Sequence, residues 1–179
     1  KINTGLLKEI GIWAGEILLV MVVAVMLVSF VGFRITVVGA SMSPTLESGQ
    51  EILVNRFVYK IFSPKQNDLI VFLPNGNINT HYYIKRVVAT PGDTVEFKDG
   101  RLYVNGVMEE NDAYDKVADP GIAEEPILVG VDEFFVLGDN RNNSEDSRSG
   151  NIGMVKRNQI EGKAWFHFAH GEDGIGLIQ

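Results

Sequence analysis

The sequence predicts a mainly β domain, sheet-like or barrel-like, carried behind one N-terminal transmembrane helix. Two observations lead there. Residues 17–33 form an uncharged apolar run, and strand-length apolar segments separated by Gly, Pro, Asn and Asp follow it. A length of 179 residues fits one domain with an appendage. Sixteen Lys and Arg against 23 Asp and Glu give a net charge of −7, and there is no Cys. The missing Cys excludes disulfides, thiolate metal sites and Cys nucleophiles. The acidic balance argues against broad nucleic-acid binding, which needs cations to neutralise phosphates.

The apolar run ILLVMVVAVMLVSFVGF would span roughly 26 Å as a helix. Extended back to Gly11, it reaches about 34 Å, enough for a ~30 Å hydrocarbon core. Glu16 would then lie near one membrane face, and Trp13 would suit the interfacial belt. The competing readings are a buried core helix and a cleaved signal peptide. A core helix normally shows a polar stripe, and this run is apolar on every side. A cleavable signal has a shorter apolar region, with Val38-Gly39-Ala40 a faint candidate for its cleavage site. A retained anchor is therefore expected. Residues 1–34 carry net +1 and the remaining 145 carry −8. Weakly, this favours a cytoplasmic N-terminus, with 35–179 as the extracytoplasmic domain.

The expected strands are Ile35–Val38, Ile52–Phe57, Leu69–Leu73, Tyr82–Thr90, Thr94–Lys98, Leu102–Asn105, Phe134–Leu137 and Ala164–Phe168. No later segment holds a 3.6-residue pattern over three turns. Asp99-Gly100 marks a type I′ hairpin that pairs Phe97 with Leu102 and Val95 with Val104, all on one face. Residues 108–130 hold seven acids against Lys116 alone, and read as a solvated excursion. Residues 171–179 read as a flexible tail.

Three segments do not look like ordinary strand or turn sequence. In Gly39-Ala40-Ser41-Met42-Ser43-Pro44-Thr45-Leu46, Gly39 permits unusual backbone geometry, and Ser41 could be a nucleophile. The bland alternative is a turn with Ser43 or Thr45 as a cap. In Tyr82–Ala89, alternation puts Tyr83, Lys85, Val87 and Ala89 on one face and Ile84, Arg86 and Val88 on the other. Arg86 cannot lose its proton and needs an acidic partner. Lys85 can respond to burial by losing its proton, which would make it a general base. The alternative is two snorkelling side chains on an edge strand. The third segment, residues 137–149, is dense in hydrogen-bonding groups. Asp139 or Asp146 could be the partner of Arg86, and Ser144 could orient Lys85.

Together these segments resemble the bacterial type I signal peptidase family, membrane-bound Ser/Lys proteases that remove signal peptides from exported proteins. The serine box corresponds to Ser41–Leu46, the lysine box to Ile84–Asp93 and the acidic box to Gly138–Arg148. Order and preceding anchor also match, and the short single-anchor form looks like that of Gram-positive bacteria. The resemblance implies Ser41 as nucleophile, Lys85 as general base and Ser144 as the residue orienting Lys85. It implies pairs Asp139–Arg86 and Asp146–Arg148. It implies that Met42, Leu46, Ile84, Ile35 and Val37 wall pockets for small side chains, the Ala-X-Ala preference. The partners implied are exported preproteins and the lipid bilayer, with no nucleic acid, metal or cofactor.

One position departs from part of the family. Where some members carry a Ser whose hydroxyl serves the oxyanion hole, this chain has Gly39, so a side-chain donor from there is impossible. For Lys85 to act near neutral pH, its pKa must fall from ~10.4 to about 7–8. His81, His167 and His170 are too scattered for a metal site. Two other readings compete: a self-cleaving Ser/Lys repressor-type protease, against which the anchor argues, and an inactive anchored peptide-binding protein.

Overall fold

The computed structural model describes residues 4–78, 80–109, 116–171 and 174–178. Helix α1 runs Thr4–Val31, about 42 Å at 1.5 Å per residue. Its stretch Lys8–Met26 is long and apolar enough to cross a membrane, and none of it is buried by the rest of the chain. Trp13 is 67% and Val20 66% exposed. A core helix would be covered, and so much bare apolar surface is not sustained in water. The core-helix reading is therefore excluded.

Strand β1 (Gly32–Thr36) begins at the residue after Val31 and pairs antiparallel with β2 (Glu51–Asn55), Gly32 opposite Asn55. Asn55 ends β2: its Oδ1 accepts from the N–H groups of Phe57 and Val58. That local bond turns the chain into the four-residue helix α2 (Val58–Ile61), so the strand expected to reach Phe57 stops short. In chain order follow β3 (Leu69–Phe72), β4 (Tyr83–Ala89), β5 (Thr94–Lys98), β6 (Arg101–Val104), β7 (Val107–Met108) and β8 (Ile127–Leu128). Then come β9 (Glu133–Leu137), β10 (Val155–Lys156), β11 (Ile160–His167) and β12 (Gly176–Leu177). One sheet has the order β1-β2-β11-β3-β4-β9-β10, with β12 beside β11; the second has β7-β6-β5-β8. All pairings are antiparallel, and the fold is mainly β.

The larger sheet is covered on both faces, which is why β3 reads as continuous apolar sequence. Leu69 and Val71 pack with Val37, Met42, Leu46 and Ile84. Ile70 and Phe72 pack with Phe134 and Val136 on the other side. A third cluster joins the small sheet to the large one through Val88, Ala89, Phe135 and Leu137. The register between β4 and β9 shifts between Val87 and Ala89. Val88 and Ala89 consequently share that cluster, and the alternation expected to group Ala89 with Lys85 fails at this bulge.

The Asp99-Gly100 hairpin forms with the expected register, and both turn residues have positive φ. Asn105-Gly106 makes a second such turn into β7, a signal that reading Asn105 as strand overlooked. The acidic excursion is only half right. Asp119, Glu124 and Glu125 are exposed. However, Val117, Ala123 and Val129 are buried in the core, and β8 pairs with β5. Three apolar residues at wide spacing suffice to pin an otherwise polar strap. Glu110, Asp112 and Asp115 lie outside the described residues. The tail is also partly ordered: Leu177 pairs with Phe166, and Ile178 packs on the core.

Candidate active site

Ser41 lies in the loop between β1 and β2. Backbone bonds Val37 N–H to Gln50 carbonyl and Gly49 N–H to Val37 carbonyl, both 2.8 Å, close the loop base. Gly39 takes φ of +85°, a conformation side-chain-bearing residues disfavour, just before the serine. Its N–H donates to Ser48 Oγ at 3.2 Å. The loop following β9 grips the serine from the other side. Asn140 N–H donates to the Ser41 carbonyl and Asn140 Nδ2 to the Ala40 carbonyl, each at 3.1 Å. Thr45 Oγ1 donates to Asp139 Oδ2 at 2.6 Å.

Lys85 reaches this loop from β4, and its Nζ donates to Ser41 Oγ at 2.7 Å. The lysine is 3% exposed. Burial lowers its pKa from the ordinary lysine value to about 8, while Asp146, Glu145 and Asp139 partly oppose the fall. Two of those carboxylates are held by arginines. Arg86 Nε and Nη2 each donate to Asp139 at 2.8 Å. Arg148 Nε and Nη2 each donate to Asp146 at 2.9 Å, and Asp146 Oδ2 also accepts from Gly138 N–H. Such forked, buried pairs are short and directional, and each fixes a stretch of the loop. Lys85 and Arg86, adjacent in sequence, thus engage different partners.

Ser144 differs from what the resemblance implied. Among the described residues no hydrogen bond joins it to Lys85; its Oγ is buried without a partner. It lies against Gly138 and close to the Ser41 carbonyl. A Cβ on Gly138 would overlap both the Ser144 hydroxyl and that carbonyl oxygen. Only a glycine lets the two loops approach this closely.

A cavity of about 290 Å³ opens onto Ser41 and Lys85. Val37, Met42 and Ile84 wall it, whereas Leu46 and Ile35 belong to the same apolar cluster without lining it. Sequence reasoning missed Val38, His81, Tyr82 and Glu145, which also line it. Glu145 carries no sequence signal that separates it from the neighbouring acids. A larger surface groove of about 950 Å³ beside Arg56, Lys60 and Arg157 contains none of the expected site residues.

Residues 10–169 match the family model described as signal peptidase, peptidase S26. A signal peptidase I of Bacillus amyloliquefaciens is 37% identical over 168 residues, covering 87% of this chain and 86% of its own. Signal peptidase I S of Bacillus subtilis (strain 168) is 34% identical, covering 93% and 92%. A crystal structure of a signal peptidase I from Enterococcus faecalis V583 shares 31% identity, covering 57% of this chain and 97% of that one, with a TM-score of 0.44. The family-model match and the identity to these relatives place the chain in the signal peptidase, peptidase S26, family.

Proposed function

We propose that this chain is a membrane-anchored serine endopeptidase that removes N-terminal signal peptides from exported preproteins, cleaving after a small residue. Ser41 is the nucleophile and Lys85 the general base. The observation that carries this reading is the 2.7 Å contact between Lys85 Nζ and Ser41 Oγ, made by a lysine that burial brings to a pKa of about 8. Serine is a weak nucleophile unless a base takes its proton, and a dry amine is competent to do so.

Neutral Lys85 takes the Ser41 proton as Oγ attacks the carbonyl of the small residue. Lys85 then passes that proton to the departing amine, leaving an acyl-enzyme. Water, deprotonated by Lys85, attacks the ester, and collapse returns the proton to Ser41 Oγ. The Ser41 backbone N–H is one donor to the oxyanion. The unpaired Ser144 hydroxyl is within the same packed corner and steers Lys85 once Ser41 is acylated. Asp139–Arg86 and Asp146–Arg148 hold the geometry. Val37, Met42 and Ile84 limit side chains beside the scissile bond to small ones, with Leu46 and Ile35 supporting that wall from behind.

Residues 1–34 would form the cytoplasmic N-terminus and anchor, with 35–179 outside the membrane. The uncovered apolar α1 supports the anchor, and the charge split of +1 against −8 supports the orientation. Purified protein in detergent is expected to cleave a preprotein after its Ala-X-Ala segment, with cleavage lost in Ser41→Ala. Undiminished cleavage by that variant would overturn the proposal.

A further inference from the structure

The acidic loop after β9 contains three carboxylates, and two are neutralised: Asp139 by Arg86 and Asp146 by Arg148, both pairs buried. Glu145 is exposed at the rim of the cavity that opens onto Ser41 and Lys85. Its bonds are long and come from neutral donors: Tyr83 Oη at 3.3 Å and Asn151 Nδ2 at 3.4 Å. Among the described residues no cation pairs with it. The cavity walls around it are apolar at Val37, Met42 and Ile84. Lys85, which lines the cavity with His81 as its basic residues, is neutral in the form that acts as base. An anionic charge therefore faces the substrate channel without an ion pair among the described residues, acting at longer range on Lys85.

We infer that Glu145 is a charge-specificity residue: it favours preproteins carrying Lys or Arg within a few residues of the cleaved bond and disfavours those carrying Asp or Glu there. The inference rests on the endopeptidase reading above. A low-dielectric wall on one side strengthens the field of the carboxylate, and open solvent on the other weakens it, so the discrimination is modest. Opposite and like charges passing at about 4–6 Å in such a rim differ by roughly fivefold to twentyfold in kcat/KM. Tyr83 touches both groups: its hydroxyl donates to Glu145 at 3.3 Å, and its ring flanks Lys85 Nζ at 5.4 Å.

The test uses the full chain in detergent and matched peptides with an Ala-X-Ala cleavage segment. Lys, Asp or Ala is placed in turn at each of the three positions on either side of the bond. Cleavage of the Ala peptide by the unmodified protein but not by Ser41→Ala establishes the endopeptidase reading on its own. The expected result is a Lys-over-Asp preference of about fivefold or more in kcat/KM at one or two positions. That preference should shrink in Glu145→Gln and reverse in Glu145→Lys, each rate being normalised to the Ala peptide. It should also fall between 20 mM and 500 mM salt in the unmodified protein, as screening requires. A Lys-to-Asp ratio that is the same in all three proteins and insensitive to salt overturns the inference while leaving the endopeptidase reading intact.

Discussion

Burial of Lys85 has a stability consequence as well as the catalytic one proposed for it. Its folded pKa of about 8 lies below the unfolded value of ~10.4, so the fold penalises the charged form. The penalty is complete below about pH 8 and disappears as pH climbs past the unfolded value; at ~1.36 kcal/mol per pH unit it reaches about 3 kcal/mol. Lys85→Met, nearly equal in volume, is expected to abolish cleavage yet unfold at higher denaturant below pH 8, with the gain shrinking by pH 10. Equal stability of the two proteins at pH 6 and pH 10 would contradict a buried amine. The same pKa sets the activity profile: kcat/KM is expected to rise about tenfold per unit up to pH 8 and then level off. Lys85→Arg should be inactive but folded. A cation among apolar strand residues demands an explanation, but the residues alone left a turn at Ser41 and a snorkelling Lys85 open; the expectation that the two meet came from the family resemblance. The unpaired Ser144 hydroxyl was not legible, because whether a short side chain reaches one atom or its neighbour depends on tertiary distances of a fraction of an ångström.

Two loops, 37–50 and 138–154, meet at Gly138, and their closeness is what brings Ser41 to Lys85. Gly138→Ala is expected to lower stability by about 2–4 kcal/mol and activity by at least a hundredfold, measured by denaturant unfolding and preprotein cleavage. A companion Ser144→Ala change should not rescue it, because the Ser41 carbonyl would still be struck. Full rescue would show that the hydroxyl alone sets the spacing. Most strands could be read from β-branched and aromatic runs, and the Asp99-Gly100 turn fixed its own register. Two-residue strands such as β8 and β10 could not, since so short a run has no period to detect. The bulge at Val88 was equally hidden: alternation assumes a regular pleat, and the slip comes from pairing with β9.

At the scale of the whole molecule, one uncovered apolar helix leads into two antiparallel sheets, and its apolar character was plain from residues 17–33. How the strap 116–130 folds back was not, because its three anchoring apolar side chains are widely spaced and interleaved with three acids, so they form no detectable period. The absence of Cys allows orientation to be tested directly. In intact cells, a membrane-impermeant maleimide is expected to label Glu124→Cys, whereas Lys8→Cys should react only after lysis. The reverse pattern would invert the topology. Finally, α1 becomes β1 at Gly32 with no slack between them. On the proposed reading, the hydrolytic centre would thereby be mounted at a set height over the lipid, like a blade on a fixed post. Where a passing chain is cut then depends on how far its last greasy residue sits from the bond, and a flexible insert after Val31 would blur that position.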